Sequence, residues 1–197
     1  VLPRSQRAHR DLRSFPTRRS SDLSVVSLID PAKLQGDVKT AWKDWHSLSH
    51  QLVEFSLSLV TQADVVIDAL IGTGLQRDLE GEWAETVQII NQSGTSVIAV
   101  DVPSGLCADT GRVAGCAIIA TSTMSFIGLK AGLLTYMGVD HCGELLFDSL
   151  AVPDGVYKRQ VPQAICLDWA KLRLQLKPRI HSMHKHQCGH VIVLGGD

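Results

Sequence analysis

The sequence contains no run approaching the roughly 20 consecutive apolar residues that a membrane helix requires, and its amino end lacks the charged-then-apolar layout of a secretory signal. Its five cysteines, Cys107, Cys116, Cys142, Cys166 and Cys188, are odd in number and show no paired short spacing. Neither a disulfide framework nor a zinc ribbon is therefore indicated. No internal repeat is visible, and the net charge is only −1 over 197 residues. These absences point to a soluble, cytoplasmic protein with reduced, mostly packed cysteines, and to neither a membrane nor a nucleic acid as partner. A hydrophobic content of 45% leaves room for one ordinary domain and a little more.

The small net charge hides an asymmetry. Six arginines (Arg4, Arg7, Arg10, Arg13, Arg18 and Arg19) stand against two aspartates in residues 1–23, so the remainder is net acidic. Such a leader could be a nucleic-acid arm or an organelle transit peptide. Its segment SFPTRRSSDL, from Ser14 to Leu23, instead resembles the conceptual translation of a sequencing adapter. Residues 1–23 are accordingly expected to be foreign, disordered and without function.

What is present centres on ADVVIDALIGTGL, from Ala63 to Leu75. Val65, Val66 and Ile67 read as a buried parallel strand, Asp68 ends it, and Gly72, Thr73 and Gly74 form a tight turn. The same grammar returns in Val97-Ile98-Ala99-Val100 followed by Asp101-Val102-Pro103-Ser104-Gly105. If one sheet holds both strands with a crossover helix between, Asp68 and Asp101 emerge at the carboxyl edge where open α/β sheets bind ligands. The helix is supplied by residues 82–91, with Trp83, Val87 and Ile90 on one face and Glu82 and Glu85 in its first turn.

Elsewhere, residues 25–29 read as a strand, and 35–48 as an amphipathic helix carrying Val38, Ala41, Trp42 and Trp45. Residues 52–59 fit either a short strand or a surface loop. Further strands are expected at 123–127 and 143–150, giving a three-layer, Rossmann-like α/β domain over 24–155 with a mostly parallel sheet. A polar linker with two prolines follows and, within residues 156–189, a short helix over 168–176. Residues 190–197, HVIVLGGD, read as the first strand of a second domain.

Several residues could carry chemistry. The glycines of Gly72-Thr73-Gly74 could let backbone N–H groups reach a phosphate, helped by Arg77, or could simply make a sharp turn. Asp68 needs a donor or a cation if buried; a helix cap would also satisfy it. Pro103 and Gly105 stiffen the loop that aims Asp101 and Ser104, and the result is an oxygen set suited to a hard cation or merely a rigid turn. Lys130 could bind phosphate, transfer protons, or be solvated like most lysines. Four histidines and Cys188 crowd residues 181–190, but their spacing matches no standard metal pattern.

Taken together, VIDALIGTGL, VIAVDVPSGLCADTG, FIGLKAGLLT and GELLFDSL resemble the epimerase domain of the bifunctional NAD(P)H-hydrate repair enzyme family. The tail LKPRIHSMHKHQCGHVIVLGGD is similar to the linker and first strand of that family's ADP-dependent dehydratase domain, of ribokinase-like fold. The resemblance implies epimerisation at C6 of hydrated NADH or NADPH (NADHX and NADPHX), with the second domain dehydrating one epimer at the expense of ADP or ATP. It implies potassium ligands at Asp68 and Ser104. It also implies substrate contacts at Gly72, Thr73, Gly74, Leu75, Gln76, Arg77, Asp78 and Asp101, acid-base work by Asp101 and, less directly, Lys130, and a possible homo-oligomer. Three departures stand out: the family's GNNGGDG loop is absent, Ala131 replaces a proline, and His186 replaces the glycine of an HKG motif. They imply an inactive central fragment. The alternative is a non-catalytic nucleotide-binding or protein-interaction module of the same fold.

Overall fold

The computed structural model describes residues 23–175 apart from 76, 163 and 166. These residues divide into two compact units, 23–160 and 161–175. The arginine-rich leader, the histidine-rich segment and the expected strand at 190–197 lie outside the described residues.

The first unit is built on four strands, β1 (Val66–Asp68), β2 (Val97–Val100), β3 (Ser122–Phe126) and β4 (Glu144–Asp148). They lie in the order β1-β2-β3-β4 and every pairing is parallel. This is the expected α/β, Rossmann-like arrangement. The register aligns Asp68 with Ala99, and Ala99 with Thr123, so these three side chains share one face of the pleat.

That face carries the core. Helices α2 (Leu57–Gln62) and α3 (Glu82–Gln92) press Val60, Val87 and Ile90 onto Val97 and Ala99. α3 forms because its apolar residues recur at helical spacing, and its first-turn Glu82 and Glu85 complement the dipole. The opposite face is more open: Ile67 is 50% exposed and Val100 and Leu146 are each 38% exposed. The expectation that the β1 run is buried on both sides is therefore corrected. Its inward positions are covered, but Val65 and Ile67 are exposed.

Two local expectations also change. Residues 25–29 make only a single parallel bridge, Val25 to Leu52. Residues 52–59 are neither strand nor loop throughout, because the Ser56 side chain accepts from the Leu59 N–H and starts α2. The β2–β3 connection holds no helix. It is a folded loop, interrupted by Pro103 and by Gly105, Gly111 and Gly115 at positive φ, that buries Val102, Leu106, Ala108 and Ala117 against Leu133 and Cys142. At Gly105, φ is +93° and a Cβ would sit 2.0 Å from the Cys116 carbonyl oxygen, so only glycine fits.

The remaining helices of this unit lie outside that core. α1 (Gly36–Ser47) buries none of its residues, and α4 (Gly138–His141) precedes β4. α5 (Asp154–Tyr157) opens the stretch read as a linker. The second unit contains α6 (Trp169–Leu172), started by the Asp168 carboxylate accepting from the Ala170 N–H, and then a 3-10 turn, Arg173–Gln175.

Candidate functional site

Two acidic side chains mark the carboxyl edge of the neighbouring strands β1 and β2. Asp68 is the last residue of β1 and is 1% exposed. Its Oδ1 accepts from the Ser104 hydroxyl at 2.6 Å and the Leu70 N–H at 3.3 Å, and its Oδ2 from the Ser104 N–H at 2.8 Å. Among the described residues no cationic side chain pairs with it. Burial therefore pushes its carboxyl above the ordinary range, although the Ser104 and Leu70 hydrogen bonds pull the other way. Ser104 in turn accepts from the Ile71 N–H at 2.9 Å and lies 3.2 Å from the Ile71 carbonyl oxygen. One serine thus joins the end of β1 to the start of the glycine loop.

Asp101 follows β2 directly and adopts φ +69°. A left-handed conformation costs a non-glycine residue about 1–3 kcal/mol, and aspartate is among the residues that tolerate it. The bend is held by the Asp101 N–H donating to the Met124 carbonyl at 2.8 Å. Its Oδ1 accepts from the Phe126 N–H at 3.0 Å and the Ser125 hydroxyl at 3.3 Å, and forms an ion pair with Lys130 Nζ. Among the described residues no donor reaches Oδ2. Lys130 also donates to the Phe126 carbonyl at 2.9 Å. The turn carrying it is pinned at Ile127, whose N–H donates to Asp148 and whose carbonyl accepts from the Tyr157 hydroxyl at 2.7 Å.

The glycine loop follows Ile71, the residue bonded to Ser104. Gly72 and Gly74 have no positive φ, and a Cβ on either would meet nothing within 4 Å. The turn does not require glycine at these positions. What their lack of a side chain provides is open backbone. Thr73, Arg77 and Asp78 are exposed and Leu75 is half-buried; Gln76 lies outside the described residues. At the far end the Leu79 N–H donates to the Ala114 carbonyl, and Asp78 lies 3.6 Å from Arg112.

The structure therefore brings Asp68 and Ser104 into direct contact, and Asp101 and Lys130 likewise, with the two pairs linked through the short segment from Asp101 to Ser104. Sequence reasoning missed Ser125, which touches both Asp101 and Lys130. Its signal was a hydroxyl at an inward position of a strand, one step beyond Thr123. Among the described residues no cluster of three or more His, Cys, Asp or Glu side chains could hold a metal, and no helix is long and apolar enough to cross a membrane.

Asp68 and Asp101 thus stand at the carboxyl edge of a parallel α/β sheet, the edge at which open sheets of this class bind their ligands. A model described as the YjeF-related protein N-terminus matches residues 17–132, and the chain belongs to that family. It is 38% identical, over 89% of its length, to a bifunctional NAD(P)H-hydrate repair enzyme of Vibrio cholerae. It is 33% identical over the same share to the enzyme of that description from Escherichia coli. It is 41% identical over 64% of its length to an NAD(P)H-hydrate epimerase of Levilactobacillus brevis, of which it covers 59%. The chain spans only about a third of the length of the two bifunctional relatives, 36% and 34%.

Proposed function

We propose that this chain carries the epimerase site of an NAD(P)H-hydrate repair enzyme, which interconverts the R and S forms of hydrated NADH or NADPH. The observation that carries the reading is the Asp101–Lys130 ion pair at the end of β2, three residues before the Ser104 that bonds Asp68 and Ile71, with no donor on Asp101 Oδ2 among the described residues. The names of the relatives support the substrate. In such a hydrate, C6 bears both a hydroxyl and the ring nitrogen, so inversion needs no redox step. Asp101 takes the hydroxyl proton as the C6–N bond opens, Lys130 protonates the departing nitrogen, and the reverse steps on the other face close the ring with both protons returned. Backbone N–H groups of Gly72, Thr73 and Gly74, with Arg77, hold the diphosphate end of the substrate, and Leu75, Gln76 and Asp78 contact other parts of it.

Asp68 and Ser104 are proposed to hold a potassium ion. The donor set fits: a buried carboxylate with only neutral partners, a hydroxyl and the nearby Ile71 carbonyl are all hard oxygens. Bound there, the ion would neutralise the Asp68 carboxylate and phosphate charge. In the full-length protein a second activity, ADP- or ATP-dependent dehydration of the S form, would follow from residue 190 onward.

The test is Asp101→Asn in the full-length protein, assayed on purified R-NADPHX. Epimerisation should fall by about 10³-fold while substrate binding persists. Undiminished turnover would remove Asp101 from the chemistry. A wild-type protein that binds the hydrate without epimerising it would favour the non-catalytic module instead.

A further inference from the structure

We infer that Ser125 is a positioning residue for the Asp101–Lys130 pair, an inference that rests on the epimerase reading and deepens it. Ser125 is fully buried on β3, at 0% exposure. Its hydroxyl lies 3.3 Å from Asp101 Oδ1 and 3.5 Å from Lys130 Nζ. The polarity of this arrangement is fixed by the groups themselves. An ammonium can only donate and a carboxylate can only accept, so the hydroxyl accepts from Lys130 and donates to Asp101.

The count of acceptors gives the contact a purpose. A lysine ammonium has three N–H bonds, and three oxygens face it: Asp101 Oδ1, Ser125 Oγ and the Phe126 carbonyl. Two of the three come from consecutive residues of β3, a rigid sheet element rather than a loop. The ammonium is thereby held in one orientation while the Lys130 turn itself is irregular. The same hydroxyl directs a donor at Asp101 Oδ1, and Oδ2 has no donor among the described residues. Both distances lie beyond the usual hydrogen-bonding range, so Ser125 aligns the two charges more than it binds either.

Ser125→Ala and Ser125→Thr in the full-length protein test this with two readouts. The first is the lysine ammonium resonance in a proton–nitrogen correlation spectrum, which persists only where the protons exchange slowly. Lys130, assigned by its loss in Lys130→Met, should give such a signal in the wild type. It should broaden beyond detection in Ser125→Ala and return in Ser125→Thr. The second is epimerisation, where Ser125→Ala should lower kcat about tenfold with KM changed less than about threefold, and Ser125→Thr should recover most of the loss. An unchanged ammonium signal in Ser125→Ala, or a loss confined to KM, overturns the role of Ser125. A wild type with the ammonium signal but no epimerisation overturns the functional reading instead, so the two failures are distinguishable.

Discussion

Asp68 and Asp101 end neighbouring strands in the same way, yet they meet opposite electrostatic surroundings. Asp68 is sealed from solvent and met only by neutral N–H and O–H donors. Asp101 keeps 27% of its side chain exposed and has an ammonium against one oxygen. The difference teaches that a strand-end carboxylate acquires its role from what the neighbouring loop presents to it. The loop after β2 presents a serine to Asp68, and the turn after β3 presents a lysine to Asp101. Among the described residues the first arrangement leaves the carboxylate without a cationic partner, which is the physical ground for proposing a potassium ion there. The second pairs its charge with Lys130 and leaves one oxygen without a donor among the described residues.

The comparison is broken most severely at its second member. Lys130→Met removes the ammonium from Asp101 and should lower epimerisation by about 10²-fold. Adding it to Asp101→Asn should cost little more, because the two act as a unit. Additive losses in the four-way kinetic comparison would mean that they work separately. A smaller effect is expected at Asp68. Asp68→Asn keeps the volume and removes the charge, and should reduce epimerisation about tenfold. It should also abolish the response of the rate to replacing potassium with a bulky organic cation. An Asp68→Asn enzyme that still responds to potassium would place the ion elsewhere.

How much of this was legible in the sequence differs between the two members. The strand ends were legible because Val66-Ile67-Asp68 and Val97-Ile98-Ala99-Val100 put β-branched residues ahead of an acid, and α3 was legible through Trp83, Val87 and Ile90 at helical spacing. The loop after β2 was legible only as a rigid turn. Its buried Ala108, Ala114 and Ala117 carry no periodicity, since their burial depends on the left-handed glycines that fold the loop back. Helix α2 was illegible because Leu57-Ser58-Leu59-Val60 alternates like a strand, and the deciding signal was the single Ser56 cap. Ser125 was hidden for another reason: a serine inside a strand carries no mark of its partners, and Lys130 reaches it only through the turn after β3.

The smallest expected effect concerns stability and separates the two carboxylates without an activity assay. The Asp68 carboxyl lies above the ordinary aspartate value of 3.8 in the folded protein, chiefly because burial disfavours its charge. The folded state therefore binds this proton more tightly than the unfolded one. The contribution of Asp68 is fully favourable below the unfolded value and is lost as pH rises from there through the folded value. In potassium-free buffer, urea midpoints of wild type and Asp68→Asn followed upward from about pH 3.8 should diverge, with the wild type losing stability relative to the variant. The loss of the asparagine's altered hydrogen bonds shifts the two curves by a constant, so the diagnostic is the slope of their difference. Potassium at neutral pH should raise the wild-type midpoint more than that of Asp68→Asn, because the ion favours the charged, folded carboxylate. Parallel curves over the whole range would show that Asp68 titrates alike in both states, and the case for an external counter-charge at β1 would fall with them.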